Sequence, residues 1–170
     1  MISVAQGTEY RKGNLIIFTG TEEIPCPVCG GKLRVHGTCT RKLHRKDGAE
    51  TYRLRVMECK KCGKTHRELP GWIVPYKRLD VEMLGSIAED TGKGETEYPD
   101  ISTWERIKEW VNWFLSYALQ ILDGLRVSLG KTLSTIPVGA SLSRQLAYYV
   151  RLVANSGNWI QHRSVMRAGP

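Results

Sequence analysis

Cys26-Pro27-Val28-Cys29-Gly30 and Cys59-Lys60-Lys61-Cys62-Gly63 repeat one pattern, C-x-x-C-G, with 29 residues between Cys29 and Cys59. In such a turn both sulfurs point to one side, so each copy supplies two corners of a tetrahedron. Four thiolates at ~2.3 Å are the preferred sphere of a structural zinc ion. Glycine after the second cysteine leaves room where the chain turns back past the metal. A single C-x-x-C also suits a redox pair; two copies, each followed by glycine, predict a metal site of Cys26, Cys29, Cys59 and Cys62. Four thiolates fill the sphere, so one structural Zn2+ is expected, with no open position for a substrate. The fifth cysteine, Cys39, reads as a strand or small core residue. His36, His44 and His66 are the side chains otherwise able to replace a thiolate.

Between these knuckles, residues 32–39 and 50–58 alternate in character, as half-buried strands do. Lys46-Asp47-Gly48-Ala49 separates them, and Asp-Gly is a two-residue hairpin turn because both positions accept positive φ. A turn on Asp47-Gly48 sets Lys42 opposite Arg53 and Leu43 opposite Tyr52. Tyr52, Leu54 and Val56 then share one face, and Lys42, His44, Arg53 and Arg55 the other. Like charges facing across a ladder cost stability, and a bound anion removes that cost. Arg41, Arg45 and Lys46 near the tip, and Lys60, Lys61 and Lys64 at the second knuckle, extend a surface suited to phosphates. A solvated edge guarded by Lys and Arg is the simpler alternative. Residues 14–18 read as a further short strand, and the Pro- and Gly-containing stretch 65–78 as an ordered connector.

Past residue 78 the period becomes helical. Leu79, Met83, Leu84 and Ile87 form one stripe over 79–89, and a polar loop follows at 90–100. Ser102-Thr103-Trp104-Glu105 fits a capping box. It opens a helix over 103–128 whose apolar stripe runs through Trp104, Ile107, Val111, Phe114, Leu115, Ala118, Ile121, Leu122 and Leu125. Pro137 and Gly139 interrupt the pattern, and a third helix over 142–154 carries Leu142, Leu146, Tyr149, Val150 and Val153. The first two helices resemble a helix-turn-helix with an over-long loop. On that reading Thr103, Arg106, Lys108 and Asn112 meet DNA, since Arg reads guanine, Asn reads adenine, and Thr and Lys hold phosphates. Trp110 and Trp113 lie beside the stripe, and an exposed one of the two would mark a protein partner. The apolar C-terminal helices close a bundle or form a homodimer interface; the sequence leaves both open.

Charge is unevenly spread over the 170 residues, whose net is +8. Residues 1–75 carry 14 basic against 7 acidic side chains, residues 76–110 carry 5 against 9, and residues 111–170 carry 6 against 1. The acidic excess over 76–110 opposes a groove-reading helix, whereas the basic N-terminal half attracts polyanions. With 41% apolar residues the chain can bury a core. The opening MISVAQGTEYRKGN lacks the layout of a secretion signal, and no apolar run reaches the ~18 residues of a membrane span. A cytoplasmic, reducing compartment is therefore expected, where paired cysteines serve metals rather than disulfides. There is no Ser/His/Asp set, phosphate loop or H-E-x-x-H.

The two knuckles, with His66-Arg67-Glu68-Leu69-Pro70 and Pro75-Tyr76-Lys77-Arg78, resemble the zinc-binding N-terminal region of bacterial insertion-sequence transposases. They are more similar still to short uncharacterised proteins encoded beside transposase genes, in which a zinc ribbon precedes a helix-turn-helix with a Trp-bearing helix start. Ser102 to Trp104, and Trp110, stand where that start is expected. The likeness covers residues 24–115. It implies binding of a mobile element's DNA and a transposase or similar protein as partner. A transposase cuts with carboxylates that hold two metal ions, and residues 111–170 contain one acid, Asp123. This chain is therefore not expected to be the transposase itself.

The expected architecture is α+β: a zinc ribbon with a small antiparallel β-sheet over 1–75, then a helical, helix-turn-helix-like bundle over 76–170. The expected function is non-catalytic, a zinc-binding DNA-binding accessory factor or regulator of a mobile element. Two rival readings are an adaptor that docks its helical part on a transposase, polymerase or nuclease, and an RNA-binding ribbon.

Overall fold

The computed structural model describes residues 1–89, 101–129, 136 and 139–159, with only the backbone described at 101, 102 and 129. The loop expected at 90–100, most of the interruption at 131–141 and the tail from 160 lie outside the described residues.

The fold is α+β. Six strands come first: β1 (Ile2–Val4), β2 (Gly7–Lys12), β3 (Leu15–Gly20), β4 (Leu33–Arg45), β5 (Gly48–Cys59) and β6 (Thr65–Pro70). Three helices follow: α1 (Val81–Ala88), α2 (Ile101–Leu129) and α3 (Leu142–Asn155). Strand β5 is the spine of the sheet. It pairs antiparallel with β4 along one edge; on its other edge it pairs first with β3, then with β6. The order β1-β6-β5-β3-β2, with β4 alongside β5, gives a curled sheet. It is mixed, not antiparallel throughout as the ribbon reading expects, because β1 runs parallel to β6 and β3 parallel to β5.

Alternation builds the sheet's core. Ile16 and Phe18 of β3, Leu43 of β4, and Tyr52 and Leu54 of β5 are buried together with Val4, Leu69 and Ile73. The hairpin register corrects the one expected from the Asp-Gly pair. Arg45 pairs Gly48, so the turn falls on Lys46-Asp47, and Gly48 takes φ 121° as the first residue of β5. Lys42 therefore faces Thr51, and Arg53 faces Thr40. The shift is by two residues, so each side chain keeps its expected face; only the direct Lys–Arg apposition disappears.

The helices bury a second core. Met83, Leu84 and Ile87 of α1 meet Ile107, Trp110, Val111, Phe114, Ala118 and Leu122 of α2, and Leu146, Tyr149, Val150 and Val153 of α3. Trp110, expected beside the stripe, is within it and stacks on Phe114 at 5.1 Å. Trp113 is partly buried and stacks on Tyr117 at 5.3 Å. The backbone is already helical at Ile101 and Ser102, so Ser102 does not precede the first turn as the capping box requires. Asp80 caps α1 by accepting from the Met83 amide at 2.8 Å. Sheet and helices join through partly buried Met1 and Trp72, which touch both cores, and through a reciprocal pair of 2.8 Å hydrogen bonds between the Ser3 backbone and the Asn155 amide. No helix among the described residues is long and apolar enough to cross a membrane.

Candidate metal centre and basic groove

The two knuckles fold alike. In each, the amide of the glycine after the second cysteine donates to the carbonyl of the first: Gly30 to Cys26 at 2.8 Å, Gly63 to Cys59 at 2.9 Å. Both glycines have φ 69°, a left-handed conformation that side-chain-bearing residues adopt at a cost. The knuckles close on each other where Gly31 has no side chain; a Cβ there would stand 2.9 Å from the Cys59 sulfur and 2.8 Å from Lys61 Cβ.

All four sulfurs lie within 4.8 Å of one another. Cys26 and Cys62 are 3.7 Å apart, Cys29 and Cys59 3.4 Å. A tetrahedron with ~2.3 Å metal–sulfur bonds has sulfurs about 3.8 Å apart, so the four residues are gathered closely enough to hold one metal ion. Their protonation agrees. Against the burial that pushes it up, the amides of Cys62 and Lys61 and the facing thiols bring Cys59 down to about 6. The Gly31 amide draws Cys29 down, but burial and the other three sulfurs outweigh it and push that thiol up to about 12. The thiols of Cys29 and Cys59 are thus pushed apart in pKa, and a divalent cation between them is what lets both ionise.

Among the described residues, neither Cys39 nor a histidine belongs to the four-sulfur group. Cys39 is half-buried on β4 against the sheet's core. His66 is buried with its Nε2 3.3 Å from the Cys26 sulfur, the place of a hydrogen-bond partner that orients a ligand. His36 lies 3.8 Å from Glu58, and His44 is in β4.

The basic residues separate into two sets. Arg45 and Arg55 serve the interior. Arg55 makes a two-pronged contact with Glu68 (2.8 and 2.7 Å) and also donates to the Gly20 carbonyl, and that glutamate is 1% exposed. Arg45 holds the helix-capping Asp80 at 3.0 Å and reaches Glu50 and the Tyr52 hydroxyl. Glu58 is taken by Arg34 at 2.6 Å. In contrast Lys42, Arg53, Lys60, Lys61, Lys64, Arg67 and Arg78 are exposed and have no carboxylate within ion-pair distance among the described residues. Lys46 is exposed at the hairpin turn. On α2, Arg106 and Asn112 are exposed, and Thr103 and Lys108 half-buried.

A groove that the sequence did not disclose runs beside β4. One cavity of about 430 Å3 is lined by Arg41, Lys42, His44, Arg67, Lys77 and Arg78 among others. A second, of about 910 Å3, adjoins it and shares Met1, Cys39, Arg67 and Tyr76. Neither lining contains an aspartate or glutamate. Arg41 donates from Nη2 to the carbonyls of Val74 and Lys77. Burial, then the Arg67 charge, lowers Arg41 to about 10. Burial, then Arg106, lowers Lys77 to about 8, and its ammonium sits 4.2 Å over the Trp110 ring.

Tyr76 stands on the rim between the cavities. Lys77 N–H donates to the Val74 carbonyl at 3.2 Å, closing a turn with Pro75 second and Tyr76 third. The third position has φ 62°, where glycine or asparagine is usual, yet it carries a tyrosine 55% exposed. The only trace of this groove in the sequence is a proline followed by an aromatic and two cations.

Residues 26–107 match the family model described as Domain of unknown function (DUF6431). No curated protein and no solved structure matches the chain. The matched span holds all four cysteines, the hairpin, the Tyr76 turn, α1 and α2 as far as Ile107.

Proposed function

We propose that the chain is a non-catalytic nucleic-acid-binding protein whose two knuckles hold one structural zinc ion, and that DNA is its partner. In this reading the knuckles and hairpin are a zinc ribbon enlarged by parallel strands, and α1 and α2 a helix-turn-helix-like pair. One observation carries it. The carboxylates Glu50, Glu58, Glu68 and Asp80 are each matched to an arginine, while the seven exposed cations from Lys42 to Arg78 have no such partner. Solubility alone gives no reason to neutralise these four acids and leave that excess; a polyanion supplies the missing charge. Arg45 and Arg55 shape the surface, and Lys42, Arg53, Lys60 and Lys61 contact phosphate. Arg106 and Asn112 extend the contact along α2. The role as a mobile-element accessory factor rests on the resemblance alone.

Anisotropy titration of labelled DNA over a range of salt tests this. Four phosphate contacts give a log–log slope of about −3 to −4, and each of Arg53→Ala, Lys60→Ala and Lys61→Ala reduces it by ~0.7–0.9. Docking of a protein through apolar helix faces gives no such slope. Salt-independent binding, or none at low salt, refutes the proposal, and stronger binding of structured RNA than of DNA changes the partner.

A further inference from the structure

We infer that the groove between β4 and the Tyr76 turn binds a single-stranded stretch of nucleic acid, its phosphates held by Arg41, Lys42, Arg67, Lys77 and Arg78 and one base stacked on Tyr76. This rests on the nucleic-acid reading above and adds the strand state and the place of contact.

Three features converge on it. The first is charge: two cavities joined through Arg67 and Tyr76 are lined by cations with no acid among them. Glu50, Glu58 and Glu68 of the sheet are already paired with arginines, so they do not offset this excess. The second is donor geometry. Arg41 spends only Nη2 on backbone carbonyls, and its Nε and Nη1 have no protein partner among the described residues. A guanidinium held in place by two carbonyls is already oriented for an incoming phosphate. The third is Tyr76. A strained backbone that displays an aromatic ring beside such a groove is the kind of outlier that function maintains.

Size selects the strand state. About 430 and 910 Å3 are pocket dimensions, and the larger cavity is walled by Trp159 and Ala154. A duplex keeps its bases stacked inside and offers phosphates on a convex surface, so it cannot seat a base against Tyr76. Single strands bind in this manner elsewhere: a basic groove follows the backbone and aromatics take the bases.

The test uses the full chain with fluorescein-labelled oligothymidylate, and an unlabelled duplex of equal length as competitor. The single strand is expected to bind and the duplex to compete poorly. Tyr76→Gly is expected to weaken the single strand about 5- to 150-fold, the equivalent of the ~1–3 kcal/mol of one stacked base. Its melting temperature should be no lower than wild type, because glycine suits the positive φ. Tyr76→Phe should retain affinity, and Arg67→Ala should flatten the salt slope by ~0.7. Wild-type affinity in both Tyr76→Gly and Arg67→Ala, or equal competition by the duplex, overturns the groove as the site while leaving nucleic-acid binding established. Absence of binding to either probe overturns both readings.

Discussion

At the scale of single residues, Tyr76 and Lys77 show what this surface costs. A non-glycine residue at positive φ carries ~1–3 kcal/mol of strain, and its neighbour is an ammonium under pressure from burial and from Arg106. The sign for Lys77 follows from linkage. Its folded value, about 8, lies below the ordinary 10.5. The penalty of keeping it charged is therefore fully present below about 8 and is relieved as pH rises toward 10.5. Thermal melting of wild type and Lys77→Met across this window checks it: the variant should be the more stable at neutral pH, with the gap closing as pH rises. A gap that stays constant would mean that Lys77 is solvated. Little of this was legible in the sequence, because a turn's φ depends on how Arg41 grips its carbonyls from another strand, and that contact spans 33 residues.

At the scale of elements, the clustering of the cysteines and most of the helical stripes are legible in the sequence because both are local patterns. Each Cys pair spans one turn, and the stripe from Ile107 to Leu122 repeats every three or four residues. What escaped was non-local or unpatterned. Strand β2 has all six residues exposed, so no alternation marks it, and β1 is too short to show a period. Strand β6 lies in the stretch read as a connector. The parity of the hairpin was legible but its pairing was not, since burial of Leu43, Tyr52 and Leu54 is satisfied by either register. Arg55 was placed with the phosphate-contacting residues for the same reason: nothing near it in sequence signals that β6 brings Glu68 under it, 13 residues away. Replacing Arg55 by Met should cost about 3–5 kcal/mol, since it strands a buried carboxylate. Denaturant unfolding measures that loss, and a change near zero would return Arg55 to the exposed set.

At the scale of the molecule, the four sulfurs tie the end of β5 to the segment before β4. Structural zinc contributes ~10–16 kcal/mol in small domains, as large as the ~5–15 kcal/mol net stability of a typical fold. On the proposed zinc reading, stripping the ion with a chelator is therefore expected to unfold the sheet, seen as lost amide-exchange protection in β4, β5 and β6. Unchanged protection after proven loss of metal would separate the cluster from stability. Acid should act likewise, as protonation of the thiolates releases the ion.

The clasp between Ser3 and Asn155 also sets a timetable. Its partners are 152 positions apart, and a ribosome adding ~5–20 residues per second needs roughly 7–30 s to bridge that interval. Throughout it the strand lacks only its helical partner, since its pairing with β6 and the place of Val4 in the sheet's core need no residue beyond Ile73. The hairpin and knuckles, whose contacts close within some 36 positions, are complete well before. The clasp thus locks a strand already paired in the sheet to a helix made long after it.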